Sequence, residues 1–286
     1  MRYSCLHTHT DFCDGAGDVE AFCRAAWEKG LSAIGFSAHA PIAKKTGLYT
    51  DWHMADNCLE TYIESVHSAR SRWEGRLPVY LGLEADFIPG LAGPRDFQDL
   101  GMDYIIGSVH YVFPPNGGEP FTVDGPEEEF AGGLRHFNGD GEALMEAYWD
   151  NVEAMIHAGG FDVLGHLDLV KKNNQQGDAF SMGSERWRNR IRKIVSLIAG
   201  SGIVVEVNTG GLNRGRTADP YPSREILELL RLRETPVIIT SDAHRPEHLD
   251  GHYEDARRLL LDSGYTQAVS FQGRRGGKAL WSREPL

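Results

Sequence analysis

The chain has 286 residues, 41% apolar and 24% charged, the composition of a globular protein, so disorder and collagen-like structure are excluded. Asp and Glu number 41 against 29 Lys and Arg, and the formal charge of −12 disfavours nucleic-acid backbone and anionic membrane as partners while leaving metal cations open. The opening MRYSCLHTHTDF lacks a signal peptide's apolar stretch, and no run reaches the ~18 apolar residues of a membrane span, so a cytoplasmic location is expected. Cys5, Cys13, Cys23 and Cys58 form no C-x-x-C pair and read as reduced thiols.

In chain order, a short apolar run predicts a strand at residues 4–6. Val19, Phe22, Cys23, Ala26 and Trp27 then recur at helical spacing, with Asp18 placed to cap that helix and Gly30 to end it. Further strands are predicted at residues 33–37, 79–82, 104–108, 162–165, 203–207 and 237–240, with a last candidate at 268–271. Most are continuous apolar runs, as parallel strands buried on both faces require. Met145, Tyr148, Val152, Met155 and Ile156 form a second helical stripe, and Trp187, Ile191, Ile194, Val195 and Ile198 a third. Ser223 opens a fourth through Ile226, Leu229 and Leu230. Strand and helix alternating through seven or eight units predict an α/β fold closed into a barrel, and residues 1–286 read as one domain without repeat or linker. Residues 41–57 and 113–142 break the rhythm. Each follows a strand's C-terminal end and reads equally as a surface insertion or as a lid.

The twelve histidines carry the chemistry. His7 and His9, two apart in extended chain, face one way at the end of the first predicted strand. Asp242 and His244 repeat that geometry after the strand at 237–240, and barrel closure would make the two pairs neighbours. His39, Glu84, His110 and His166 each stand just past another apolar run, and Asp14 follows His9 in its loop. These nine residues are all imidazoles or carboxylates, a donor set for Zn, Mn or Fe. A closed structural zinc takes about four ligands, so nine imply two or three divalent ions with positions left open, the arrangement of a hydrolytic centre.

His7-Thr-His9-Thr-x-x-Cys-Asp14-Gly, His39, Glu84, Gly-Ser-Val-His110, Gly-His166-x-Asp168 and Ser-Asp242-Ala-His244 resemble the motifs of the polymerase-and-histidinol-phosphatase (PHP) superfamily from end to end of the chain. Within it the sequence is most similar to the monofunctional histidinol-phosphatases, through Phe161-Asp-Val-Leu-Gly-His166-Leu-Asp-Leu-Val-Lys-Lys172, Glu206-Val-Asn-Thr-Gly-Gly-Leu212 and Asp219-Pro-Tyr-Pro-Ser223. The resemblance implies a PHP fold, a distorted (β/α)7 TIM-like barrel, with a trinuclear centre at its C-terminal mouth. By motif, His7, His9, Glu84 and Asp242 would hold one ion, Glu84, His110 and His166 a second, and Asp14, His39 and His244 the third. Family members often carry Arg directly after Gly-Leu, whereas here Asn213 intervenes before Arg214.

The implied reaction is hydrolysis of a small phosphorylated metabolite, L-histidinol phosphate, in histidine biosynthesis. A hydroxide bridging two ions would attack phosphorus in line, with Glu84, Asp242 and His244 as the catalytic residues. Lys171, Lys172, Arg214 and Arg216 are candidate phosphate partners, while Glu206 and Asn208 face one way and are candidates to read the amine or imidazole. Two alternatives stay open: the same catalyst acting on a nucleotide or other small phosphate ester, and a non-catalytic metal-binding protein. His53, His67, His136 and His157 lack partner spacing and read as surface or packing residues. His248 and His252 lack a zincin's glutamate, and Gly273-Arg-Arg-Gly-Gly-Lys278 misses the P-loop spacing.

Overall fold

The computed structural model describes residues 3–42, 46–48 and 50–286. Six parallel strands pair in the spatial order β1 (Ile34–Phe36), β2 (Val79–Asp86), β3 (Tyr104–Ser108), β6 (Val163–Leu164), β7 (Val204–Asn208) and β8 (Val237–Thr240). Their side chains are almost entirely buried, as the continuous apolar runs require. The run predicted as a strand at residues 4–6 is irregular, yet it supplies the seventh stave. Cys5 bridges Ile34 on one side and Thr8 bridges Ala243 on the other, both in parallel. The Gly35 amide donates to the Cys5 carbonyl at 2.8 Å and the His9 amide to the Ala243 carbonyl at 2.9 Å, so the first stave joins the two edges of the sheet. The result is a distorted seven-stave barrel.

Helices alternate with the staves. In α1 (Val19–Glu28) the Asp18 carboxylate accepts from the Ala21 amide at 2.7 Å, and Val19, Phe22, Cys23 and Ala26 are buried, whereas Trp27 lies half exposed at the edge of the stripe. α2 (Leu59–Arg72), α4 (Gly141–Ala158), α5 (Glu185–Ile198), α7 (Arg224–Leu232) and α8 (Tyr253–Asp262) continue the pattern, with a single turn, α6 (Gly210–Asn213), after β7. Ser184 caps α5 through the Trp187 amide, while Ser223 precedes α7 in extended backbone without a side-chain capping bond.

The last predicted strand is not an eighth stave. β9 (Gln267–Arg275) pairs antiparallel with β10 (Lys278–Pro285), and this hairpin lays Val269 and Phe271 against Leu6, Tyr104, Ile106, Val163, Val204 and Ile238, sealing the N-terminal mouth. Tyr104 fills the barrel above it. A Cβ on Gly82 would come within 2.5 Å of the Tyr104 ring and one on Gly35 within 2.4 Å of its hydroxyl, so both staves pass close only because those residues are glycines. The Tyr104 hydroxyl donates to the Leu6 carbonyl.

Residues 113–142 carry structure of their own. β4 (Tyr111–Val112) pairs with β5 (Phe121–Thr122), α3 (Glu127–His136) follows, and the segment walls the C-terminal mouth. Of the loop at 41–57, residues 43–45 and 49 lie outside the described residues; Thr50, Asp51 and Trp52 line the same mouth. No helix among the described residues is long and apolar enough to cross a membrane.

Candidate metal centre

Parallel staves end together, so the residues just past their apolar runs meet at one rim. The structure brings all nine predicted ligands there, in three groups whose ligand atoms lie within 4.8 Å of one another: His9, Asp14, His39 and His244; His7, His9 and Asp242; and Glu84, His110 and His166. His9 falls in two of them. Glu84 sits centrally, its Oε2 2.9 Å from His39 Nδ1, 3.2 Å from His7 Nε2 and 3.5 Å from His9 Nε2. Its other oxygen accepts from Ser108 Oγ at 2.7 Å and lies 2.9 Å from His166 Nε2.

The site fits metal ions. His7 Nε2, His9 Nε2, His39 Nδ1, Glu84 Oε2 and His166 Nδ1 are buried without a hydrogen-bond partner. Orphaned buried polar atoms are costly, and five in one cluster of imidazoles and carboxylates are what cations of the Zn, Mn or Fe type would satisfy. Asp242 adds backbone strain, with φ at 48°, a conformation that aspartate holds at some cost where surrounding structure fixes it.

The electrostatics point the same way. Burial pushes the Glu84 carboxyl up, but His7 and His39 outweigh it and hold the group well below the usual carboxylate range. For Asp242 burial is likewise overcome, first by Arg214 and then by His7. Burial opposes charge on His7, yet Glu206, Glu84 and Asp242 raise it well above an ordinary imidazole. His9 is pressed down to about 3 by burial and by the neighbouring His244 and His39. Ionised carboxylates beside imidazoles that would surrender protons to a cation are the ligand state of a metal site.

Carboxylates also brace two of the imidazoles from behind. Glu206 Oε1 lies 2.5 Å from His7 Nδ1 and accepts from Thr240 Oγ1 at 2.6 Å, while its Oε2 accepts from the His166 amide at 2.8 Å and from Asn208 Nδ2 at 2.9 Å. The Asn208 side-chain oxygen Oδ1 in turn accepts from the Gly210 amide at 2.7 Å. Glu206 and Asn208 are thus buried beneath the candidate ligands with their polar atoms engaged, and neither lines the cavity. Their shared direction on β7 is into the barrel rather than out of its mouth. Asp86 plays the corresponding part behind His110, with Oδ1 2.7 Å from His110 Nδ1, and its other oxygen meets His53 Nε2 at 2.8 Å.

Above the ligands lies a cavity of about 800 Å³, with Arg214, Lys172, Asp124 and Trp52 in its walls. Arg214 reaches Asp242 Oδ2 at 3.0 Å and His244 Nδ1 at 3.0 Å. Lys172 Nζ donates to the Asp124 carbonyl at 2.5 Å and its carboxylate at 3.1 Å. Lys171 does not reach this space: it is buried, donates to the Pro220 carbonyl at 2.8 Å and pairs with Asp168 at 3.1 Å over the Tyr221 ring. Arg216 is exposed and lies outside the cavity. His67, His136, His157 and His252 are exposed. His53 is different, because it joins the bracing network that spacing alone did not reveal; its signal would have been Asp86, a carboxylate two residues beyond Glu84 on the same strand.

Comparisons with known proteins place the chain in a family. The PHP domain profile matches residues 6–210. A Deinococcus radiodurans protein named "Probable histidinol-phosphatase" is 32% identical over 277 residues, covering 94% of this chain and 96% of its own. A histidinol-phosphatase of Bacillus subtilis is 28% identical over 261 residues, covering 87% and 96%. Among solved structures, the histidinol phosphate phosphatase of Lactococcus lactis complexed with zinc, L-histidinol and phosphate superposes with a TM-score of 0.66 at 18% identity, over 97% of this chain and 98% of its own, a likeness of fold.

Proposed function

The chain belongs to the PHP domain family, and from that membership and the geometry of its site we propose that it is a metal-dependent phosphomonoester hydrolase converting L-histidinol phosphate and water to L-histidinol and phosphate. The observation that carries the reading is the convergence of six imidazoles and three carboxylates, with five orphaned polar atoms, at one mouth, seven of the nine lining a cavity walled by Arg214. The names of two full-length relatives, and the L-histidinol and phosphate held with zinc by a protein of the same fold, support the substrate.

His7, His9, Asp14, His39, Glu84, His110, His166, Asp242 and His244 would hold two to three divalent ions, with Glu84, Asp242 and His244 closest to the chemistry. Such ions, when bound, supply Lewis acidity toward phosphate oxygens and lower the pKa of water. The chain's own residues do the rest. Arg214 offers guanidinium donors to the phosphate, a planar match that an ammonium lacks, and Lys172 adds a second positive charge at the wall. Glu206 and Asp86 fix the rings of His7 and His110, so the ligands need little reorganisation. In the balanced reaction the water oxygen joins phosphorus, the ester P–O bond breaks, and a proton passes to the departing L-histidinol oxygen. We place the enzyme in the cytoplasm as one domain, where its four unpaired thiols stay reduced.

The test is a substrate panel: L-histidinol phosphate, p-nitrophenyl phosphate, a nucleoside monophosphate and a phosphate bis-ester. A kcat/KM for L-histidinol phosphate well above the other three is expected. Preference for the nucleotide or the bis-ester would replace the substrate while leaving the metal centre, and hydrolysis of none would favour a metal-binding role without catalysis.

A further inference from the structure

His110 is held from behind by a chain of hydrogen bonds that leaves the barrel and ends in a loop. Asp86 Oδ1 lies 2.7 Å from His110 Nδ1 and also accepts from the His110 amide at 3.3 Å. A carboxylate oxygen accepts, so Nδ1 donates to Asp86, and Nε2 lies 3.9 Å from Glu84 Oε1. Asp86 Oδ2 is 2.8 Å from His53 Nε2, which must therefore donate. His53 Nδ1 then accepts, and Thr50 Oγ1 stands 2.6 Å away to supply the proton. The distances thus join Thr50, His53, Asp86 and His110 in one hydrogen-bonded series running from the loop to a candidate ligand.

Apolar contact reinforces the same link. The Trp52 ring lies 3.6 Å from that of His53 and stands edge-on to His39 at 4.6 Å and to His110 at 5.3 Å. Residues 50–53 are therefore seated on two candidate ligands, and they reach His110 through Asp86. The Glu206 brace behind His7 differs, since all its partners belong to the staves and their ends.

We infer that His53, acting through Asp86, is a positioning residue for the ion site formed by Glu84, His110 and His166, so that seating of residues 50–53 and occupancy of that site stabilise each other. This rests on the metal-centre reading above. A support that fixes tautomer and ring orientation strengthens ion binding, and by reciprocity the bound ion strengthens the support.

The experiment is a zinc titration of the chelator-stripped full chain, without substrate, in competition with a chromophoric chelator. In His53→Ala one ion is expected to bind about 10–100-fold more weakly, the range for loss of such a support, while the others keep their affinity. His53→Gln, whose amide can still donate to Asp86, should recover most of the loss, and Thr50→Val should weaken the same ion by a smaller factor. In an Asp86→Asn background, adding His53→Ala should change nothing further. Unchanged affinity for every ion in His53→Ala would overturn the inference. So would an equal loss at all ions that glutamine does not restore, or a full additional loss in the Asp86→Asn background. Thermal unfolding in excess chelator checks that each variant folds, and His53→Gln together with Thr50→Val carries the test should the alanine variant not. A wild-type chain that binds no zinc would contradict the metal-centre reading itself, before any variant is compared.

Discussion

Glu84 is the residue on which the centre turns, since one oxygen faces three imidazole nitrogens and the other is held by Ser108 beside His166. Replacing a central ligand removes several kcal/mol of transition-state stabilisation, and each ~1.4 kcal/mol is tenfold in rate. Glu84→Gln, His110→Ala and Asp242→Asn are each expected to cut kcat by at least about two orders of magnitude. Far-UV circular dichroism should show them folded, and full activity in any of them would contradict its assignment. Lys171 and Lys172 make a contrast that steady-state kinetics and denaturant titration separate. Lys172→Ala should raise KM for the phosphate ester with the fold intact. Lys171→Ala strands the fully buried Asp168 carboxylate and should cost about 3–5 kcal/mol of stability instead. The cluster of nine candidate ligands was legible because all but Asp14 stand at the end of an apolar run and parallel staves end together. Which way a polar side chain turns was not: Lys171 and Lys172 are neighbours in one 3-10 turn, and only packing sends the first under Tyr221 and the second to the cavity.

Elements follow the same logic. The apolar runs located the staves, but regular pairing at residues 4–6 was not to be had, because that segment must meet β1 on one side and the end of β8 on the other. The run at 268–271 looked like another stave, yet burial along β9 alternates toward its end, as in a hairpin with one face on the core. The 113–142 segment gave no periodicity because its hairpin and short helix are held by the mouth they wall. Tyr104 was equally invisible as a barrel filler, since the space it occupies is created by Gly35 and Gly82 on other staves. Gly82→Ala is expected to lower stability by about 1–3 kcal/mol through overpacking against that ring, measured by urea unfolding. A variant as stable as the parent would show that the ring moves aside.

For the whole molecule, the clustered imidazoles acquire one meaning: the barrel brings six of them together with Asp14, Glu84 and Asp242 at a single mouth, a place for cations between staves from both ends of the chain. Metal ions that bind only the folded state stabilise it by mass action, by about 4 kcal/mol for each ion present at a thousandfold over its dissociation constant. Chelation should therefore lower the thermal midpoint and added zinc restore it, as scanning calorimetry would read. Closure of the barrel was legible from strand count, whereas the plug at its opposite mouth, Val269 and Phe271, was not, because a hairpin's docking face depends on what it covers.

The most direct test of the account is phosphate release from L-histidinol phosphate by the purified chain, with bound metals counted in the same sample and the assay repeated after chelation and after zinc is returned. The account predicts two to three ions per chain, turnover that is lost on chelation, and recovery when zinc is added back. Turnover that survives complete removal of the ions would contradict it.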